Sequence, residues 1–184
     1  MKKILIGSLI GAILLFGWQA MSWTMLGIHD KAYLYTPAQD DLLSSITNTL
    51  KTEGQYMLPT TPPGAPHEEM EKMGKQMDGK PWAIVTLHQA YKFDMVMPMV
   101  RGFFIGLVCV ILVCWVIQRL GKKTFGAIFT TVLTFGMICF LFVWYNQHNW
   151  FQTSWEVLKG ELIDSLAGWG LCGIWLGWWY SRKP

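Results

Sequence analysis

Residues 99–145 read MVRGFFIGLVCVILVCWVIQRLGKKTFGAIFTTVLTFGMICFLFVWY. Two apolar runs, Met99–Ile117 and Phe125–Tyr145, stand on either side of a short link. The link carries Arg119, Lys122 and Lys123 and no acidic residue. A helix needs roughly 20 mostly apolar residues to cross about 30 Å of hydrocarbon. Both runs have that length. The second holds no Asp, Glu, Lys, Arg or His, and the first holds only Arg101, near its end, where a long stem can reach the headgroups. A soluble core helix needs no such length of unbroken apolar sequence, so this stretch predicts a membrane hairpin whose two helices are antiparallel neighbours.

Two further apolar segments flank it, Ile4–Ile28 and Leu162–Tyr180. Their charges alternate in step. Lys2 and Lys3, then Arg119, Lys122 and Lys123, then Arg182 and Lys183 make seven basic residues with no acidic one among them. All twelve Asp and Glu residues lie in the other two connections or at the helix ends facing them. Cytoplasmic loops retain Lys and Arg, so both termini are expected in the cytoplasm. The net charge of +3 then reflects topology and gives no basis for nucleic-acid binding. With 52% hydrophobic residues and a mean hydropathy of +0.29, the chain reads as an all-α membrane protein, a four-helix bundle with a small α+β extracytoplasmic cap. The expected division is 1–28 as an uncleaved first span, 29–98 as the cap, 99–117 as the second span and 118–124 as a cytoplasmic loop. There follow 125–145 as the third span, 146–161 as an outer interfacial loop, 162–180 as the fourth span and 181–184 as a tail. Bulky Trp18 at the one plausible cut region of the first segment argues against signal cleavage.

In the cap, Thr36-Pro37-Ala38-Gln39 predicts a helix start, with Thr36 capping, and Leu42, Leu43, Ile46 and Leu50 recur at helical spacing up to Gly54. Three prolines and a glycine make 60–66 a loop. His67–Met77 reads as a polar helix that Gly79 ends. The β-branched and aromatic stretch Trp82–Tyr91 predicts a strand pairing with 55–58. This cap looks too thin in apolar residues to be stable alone.

The residues that could carry chemistry are few. No histidine falls inside a predicted span, and axial haem ligands must reach the iron from the bundle interior, so no haem and no other cofactor is expected. The spans show no evident buried acid–base pair of the kind ion-coupled transporters use. Ser22, Gln19, Thr130, Thr131 and Thr134 are the polar groups at depth and are expected to bond between helices. Cys109, Cys114, Cys139 and Cys172 lie within spans at spacings matching no zinc or redox pattern, and read as small apolar fillers. No metal site is assigned. Copper(I) is the one metal with candidates, because thioethers are soft ligands: Met70, Met73 and Met77 share a helix face, and Met95, Met97 and Met99 alternate. His148, Glu161 and Asp164 could form a polar outer pocket for a lipid- or quinone-interacting enzyme. Three steps of two glycines four apart, Gly7/Gly11, Gly102/Gly106 and Gly173/Gly177, predict close helix packing within the bundle or against a partner. Most of the 11 tryptophans suit the membrane interface.

Phe16-Gly17-Trp18 with Ser22-Trp23, the segment Gly54–Pro59 before the proline-rich loop, and the aromatic-Asn segment Trp144–Trp150 resemble those of a group of bacterial four-helix inner-membrane proteins of unassigned activity. The resemblance implies a multi-pass inner-membrane location and no catalytic residue. Small size, packing glycines and a thin cap together lead to the expectation of a non-catalytic accessory subunit, with the bilayer and other membrane subunits or copies of itself as partners. The copper-handling protein and the membrane enzyme are the alternatives.

Overall fold

The computed structural model describes residues 2–182. Lys183 of the C-terminal basic pair lies outside the described residues. The order is α1 (Lys2–Thr24), α2 (Gln39–Thr49), β1 (Gly54–Leu58), α3 (His67–Met77), β2 (Ala83–Leu87), α4 (Val96–Ile117), α5 (Phe125–Cys139), α6 (Asn146–Phe151) and α7 (Trp155–Ser181). One unit holds α1 and α4–α7; the other spans 35–93. Three helices are long and apolar enough to cross a membrane: α1, α4 and the continuous helix Phe125–Phe151, in which a π-helical segment, Phe140–Tyr145, joins α5 to α6.

In the helical unit the expected neighbours of the hairpin are corrected. α4 packs on α1, α1 on α7 and α7 on α5, while α4 and α5 touch only sparsely. Glycine is the reason. A Cβ on Gly173 would stand 3.1 Å from Phe129 and one on Gly177 would stand 2.9 Å from Phe125, so these positions bring α7 against α5. Gly168 meets Leu15 and Trp18 on the other side, bringing α7 against α1. α7 therefore sits between α1 and α5 and takes the place α4 was expected to fill. The same pairings run in opposite sequence order, so α7 is antiparallel to both neighbours; α1 and α4 are antiparallel too, with Gly11 at Val110 and Phe16 edge-on to Phe103 at 5.9 Å. The core is Ala12, Leu15, Val110, Val113, Cys114, Ile117, Ile128, Val132, Cys172 and Leu176, closed at one end by Tyr180.

The expected interfacial loop 146–161 is also corrected. The third helix continues to Phe151, and Gln152 turns the chain with φ of +51°. Ser154 then caps α7, its Oγ accepting from Val157 N at 3.4 Å, and Glu156 in the first turn faces the positive end of the helix dipole. The fourth helix thus begins at Trp155, well before the apolar run. All four cysteines are unpaired.

In unit 35–93, β1 and β2 pair antiparallel with Tyr56 opposite Val85, as the sequence pattern leads one to expect. α3 has its expected bounds, and Gly79 follows it with φ of +73°. α2 starts two residues after the expected Pro37, with Ala38 at the cap position; Thr36 Oγ1 accepts from Ala38 N at 3.3 Å instead of capping deeper in the helix. Leu87 is the one apolar side chain of this unit that is buried among the described residues.

Candidate functional site: a buried carboxylate network

Asp164 lies on α7 in an otherwise apolar run, and its side chain is 8% exposed. A charge so placed costs several kcal/mol unless hydrogen bonds replace water. The donors come from α1 and the segment after it. Trp18 and Ser22 are one turn apart, hence on one face of α1. Trp18 Nε1 donates to Asp164 Oδ1 at 2.9 Å, and Ser22 Oγ donates to the same oxygen at 2.5 Å. His29 Nε2 lies 3.1 Å from Oδ2. A carboxylate only accepts, so Nε2 carries the hydrogen here. Three donors from 142, 146 and 135 residues away thus converge on one carboxyl group.

The histidine is clamped. The Trp23 indole stacks on it with ring centres 3.9 Å apart and planes 6° from parallel. Its other face meets Gly160, where a Cβ would stand 2.7 Å from Nδ1 and Cε1. Only a residue without a side chain lets α7 approach this closely. Nδ1 itself is buried with no partner. Glu161, one residue before the apolar run of α7, is half-buried. Burial and, secondarily, the Asp164 carboxylate push its carboxyl group up to about 7.

This arrangement is not the nucleophilic triad that the residue types suggest. In a triad the histidine lies between hydroxyl and carboxylate and takes the hydroxyl proton. Here the carboxylate lies in the middle and the serine hydrogen points at it. Both carboxylate oxygens are occupied and the histidine is covered on two faces. The network can hold α7, α1 and residue 29 together, and its one unpartnered atom, His29 Nδ1, is buried.

The expected trio of His148, Glu161 and Asp164 divides. His148 Nδ1 lies 2.7 Å from Thr153 O and its ring rests 4.4 Å from Trp155, closing the turn between α6 and α7. The expectation of no buried acid–base pair covered the spans alone, and the pair His29–Asp164 joins a span residue to one just outside. It escaped notice because His29 follows the apolar run of α1. The available signal was Asp164 itself, the single carboxylate within an apolar segment, which demands donors that the Trp18/Ser22 face supplies. Of the other polar groups, Thr130, Thr131 and Thr134 bond back to their own helix, and Gln19 is exposed.

Met70, Met73 and Met77 lie on α3 in the order one face requires. Met95 precedes α4, and Met97 and Met99 are already helical. Residues two apart on a helix point about 200° from each other, so Met97 cannot join Met95 and Met99 on one face. No group of three or more His, Cys, Asp or Glu among the described residues is placed to hold a metal. The glycine steps differ. Gly7 and Gly11 face Trp179 and Val110, and Gly173 and Gly177 face α5, whereas Gly102 barely reaches Phe16 at 4.0 Å and Gly106 has nothing within 4 Å. Comparison with protein-family models, curated proteins and solved structures finds no match.

Proposed function

We propose that the chain is a non-catalytic accessory subunit of a larger assembly in the bacterial inner membrane, crossing it four times with both termini in the cytoplasm. The observation that carries this reading is the bare apolar surface of unit 35–93. Leu42, Leu43, Met57, Leu58, Trp82 and Tyr91 are exposed, and Leu87 alone is buried. So small a core does not offset the entropy of ordering the chain, and an exposed apolar surface of this kind is the mark of a surface that a partner covers. The open Gly102/Gly106 face of α4 adds to it, since a close-approach step with no helix opposite suits a helix from another subunit.

Support for a fourth span comes from α7. Its 27 residues extend about 40 Å. Its Asp, Glu and Lys side chains are all in residues 156–164, and 165–181 carries none. α7 runs antiparallel to α1 and to α5, so its uncharged end meets the start of α1, with Lys2 and Lys3, and the start of α5, which follows Lys122 and Lys123, as a cytoplasmic end should. The closed state of the Asp164 network supports a holding role over a catalytic one.

The test is mass spectrometry of what co-purifies with the tagged chain from native membranes in mild detergent. Stoichiometric membrane subunits are expected. A lone monomer would overturn the reading. For topology, cysteines placed at Gly64 and Lys122 in a cysteine-free background should differ: an impermeant thiol reagent on intact spheroplasts labels position 64 and spares 122.

A further inference from the structure

The starts of α1 and α5 meet the end of α7. A Cβ on Gly7 would stand 3.0 Å from Trp179, and one on Gly177 would stand 2.9 Å from Phe125. An apolar groove of about 430 Å³ opens on the surface here, lined by Leu14, Phe125, Leu171, Ile174, Trp175 and Trp178. Its wall is fixed by hydrogen bonds: Trp175 Nε1 donates to Gly7 O at 2.9 Å, and the adjoining Trp179 Nε1 donates to Lys3 O at 2.9 Å.

The rim of this groove is cationic. The Arg182 guanidinium lies 3.5 Å over the ring of Trp178, and Lys3 Nζ reaches Arg182 O at 3.4 Å. Lys123 and Lys122 stand two and three residues before Phe125, which lines the groove. Among the described residues no carboxylate pairs with these cations. Stretches 2–29, 95–155 and 165–182 contain no Asp or Glu. The ion pairs among the described residues, His29–Asp164, Lys75–Glu71 and Lys159–Glu156, involve none of these cations.

We propose that this groove binds an acyl chain of an anionic phospholipid whose phosphate is held by Arg182 with Lys122 and Lys123. The charge pattern selects the occupant. A planar guanidinium matches two phosphate oxygens, and basic residues at the mouth of an inter-helix groove suit an anionic headgroup. A soluble phosphate would satisfy the rim and leave the apolar wall bare. A zwitterionic lipid would offer the same phosphate but bring its own ammonium group against the cations, so their net charge would stay uncompensated.

The test uses the purified full chain in detergent micelles. Its thermal unfolding is followed while phosphatidylglycerol, phosphatidylcholine of identical acyl chains, or inorganic phosphate is added. Phosphatidylglycerol should stabilise at a concentration several-fold lower than phosphatidylcholine, and inorganic phosphate should have no such effect. The triple change Arg182→Gln, Lys122→Gln, Lys123→Gln should weaken the phosphatidylglycerol response by about fivefold per removed charge and the phosphatidylcholine response by clearly less. Among the described residues these side chains make no ion pair, so the lipid-free unfolding temperature should fall by only about 1–4 °C, from loss of the exposed Arg182–Trp178 stacking. Lys72→Gln with Lys75→Gln on α3 is the control and should leave the phosphatidylglycerol response unchanged, losing only the exposed Lys75–Glu71 pair. Equal responses to the two lipids, a full response to inorganic phosphate, a triple variant that responds as before, or a control that weakens binding as much as the triple variant would each overturn the proposal.

Discussion

Replacing Asp164 by alanine removes one acceptor and strands three donors: Trp18 Nε1, Ser22 Oγ and His29 Nε2. A buried donor left without a partner costs about 1–3 kcal/mol in water-soluble proteins. Interhelical polar contacts in lipid average about 0.6 kcal/mol, because the unfolded chain in the membrane also finds partners. Three contacts therefore span about 2 kcal/mol at the lipid value to about 6 kcal/mol at the middle of the soluble range. The expected loss is about 3 kcal/mol, since Trp18 is only partly buried and can recover a lipid or water partner. At about 2–4 °C per kcal/mol for a chain of this size, the unfolding temperature in detergent should fall by about 6–12 °C. Asp164→Asn is the graded comparison. It keeps Oδ1 for Trp18 and Ser22 and places an amide opposite His29, which must then accept at Nε2 and carry its hydrogen on the unpartnered Nδ1. The contact is kept with its direction reversed, but the buried Nδ1–H then has no acceptor, and about 1 kcal/mol is lost with it. His29→Ala made in the Asp164→Ala background should cost less than His29→Ala alone, by about 1 kcal/mol, because the two side chains share one interaction. Asp164→Ala unfolding within about 2 °C of the native chain, or full additivity with His29→Ala, would refute the view that this network fastens α7 to α1.

Other outcomes follow from single contacts. Gly160→Ala drives a methyl group into the clamped His29 ring and should destabilise by about 1–3 kcal/mol in thermal unfolding, whereas Gly17→Ala, with nothing within 4 Å, should be neutral or slightly stabilising. Trp175→Phe deletes the hydrogen bond to Gly7 O and keeps the groove wall, so about 1 kcal/mol of stability should be lost. Glu161 supplies a pH dependence. Its carboxyl group rises from 4.5 to about 7 on folding, so between those values the folded chain holds a proton that the unfolded chain has released. Its contribution is fully present below pH 4.5 and is lost as pH rises through 7; Glu161→Gln should flatten the stability profile across that window, and an unchanged profile would show that Glu161 is not the group responsible.

Much of the local structure follows from the order of residues alone. The lengths of the apolar runs decide that three helices can cross a membrane, because hydrocarbon thickness sets a minimum number of residues. The bounds of α3 and the pairing of β1 with β2 follow from helical and alternating patterns interrupted by prolines and glycines. These are nearest-neighbour effects, and they read out in one dimension. Which helices touch is a different matter. In a membrane chain the residues facing lipid and those facing another helix are both apolar, so the pattern that locates a helix does not orient it. Gly7/Gly11 and Gly102/Gly106 look alike in sequence, yet a Cβ on Gly11 would stand 2.9 Å from Val110 and one on Gly106 would meet nothing within 4 Å. Only the folded chain inserts α7 between α1 and α5, and only that insertion brings His29 within hydrogen-bond reach of a carboxylate 135 residues away. The local sequence around each is unremarkable: a histidine after one apolar run, an aspartate at the start of another. Their partnership is a product of distance in space, set by the glycines that allow the two backbones to come close.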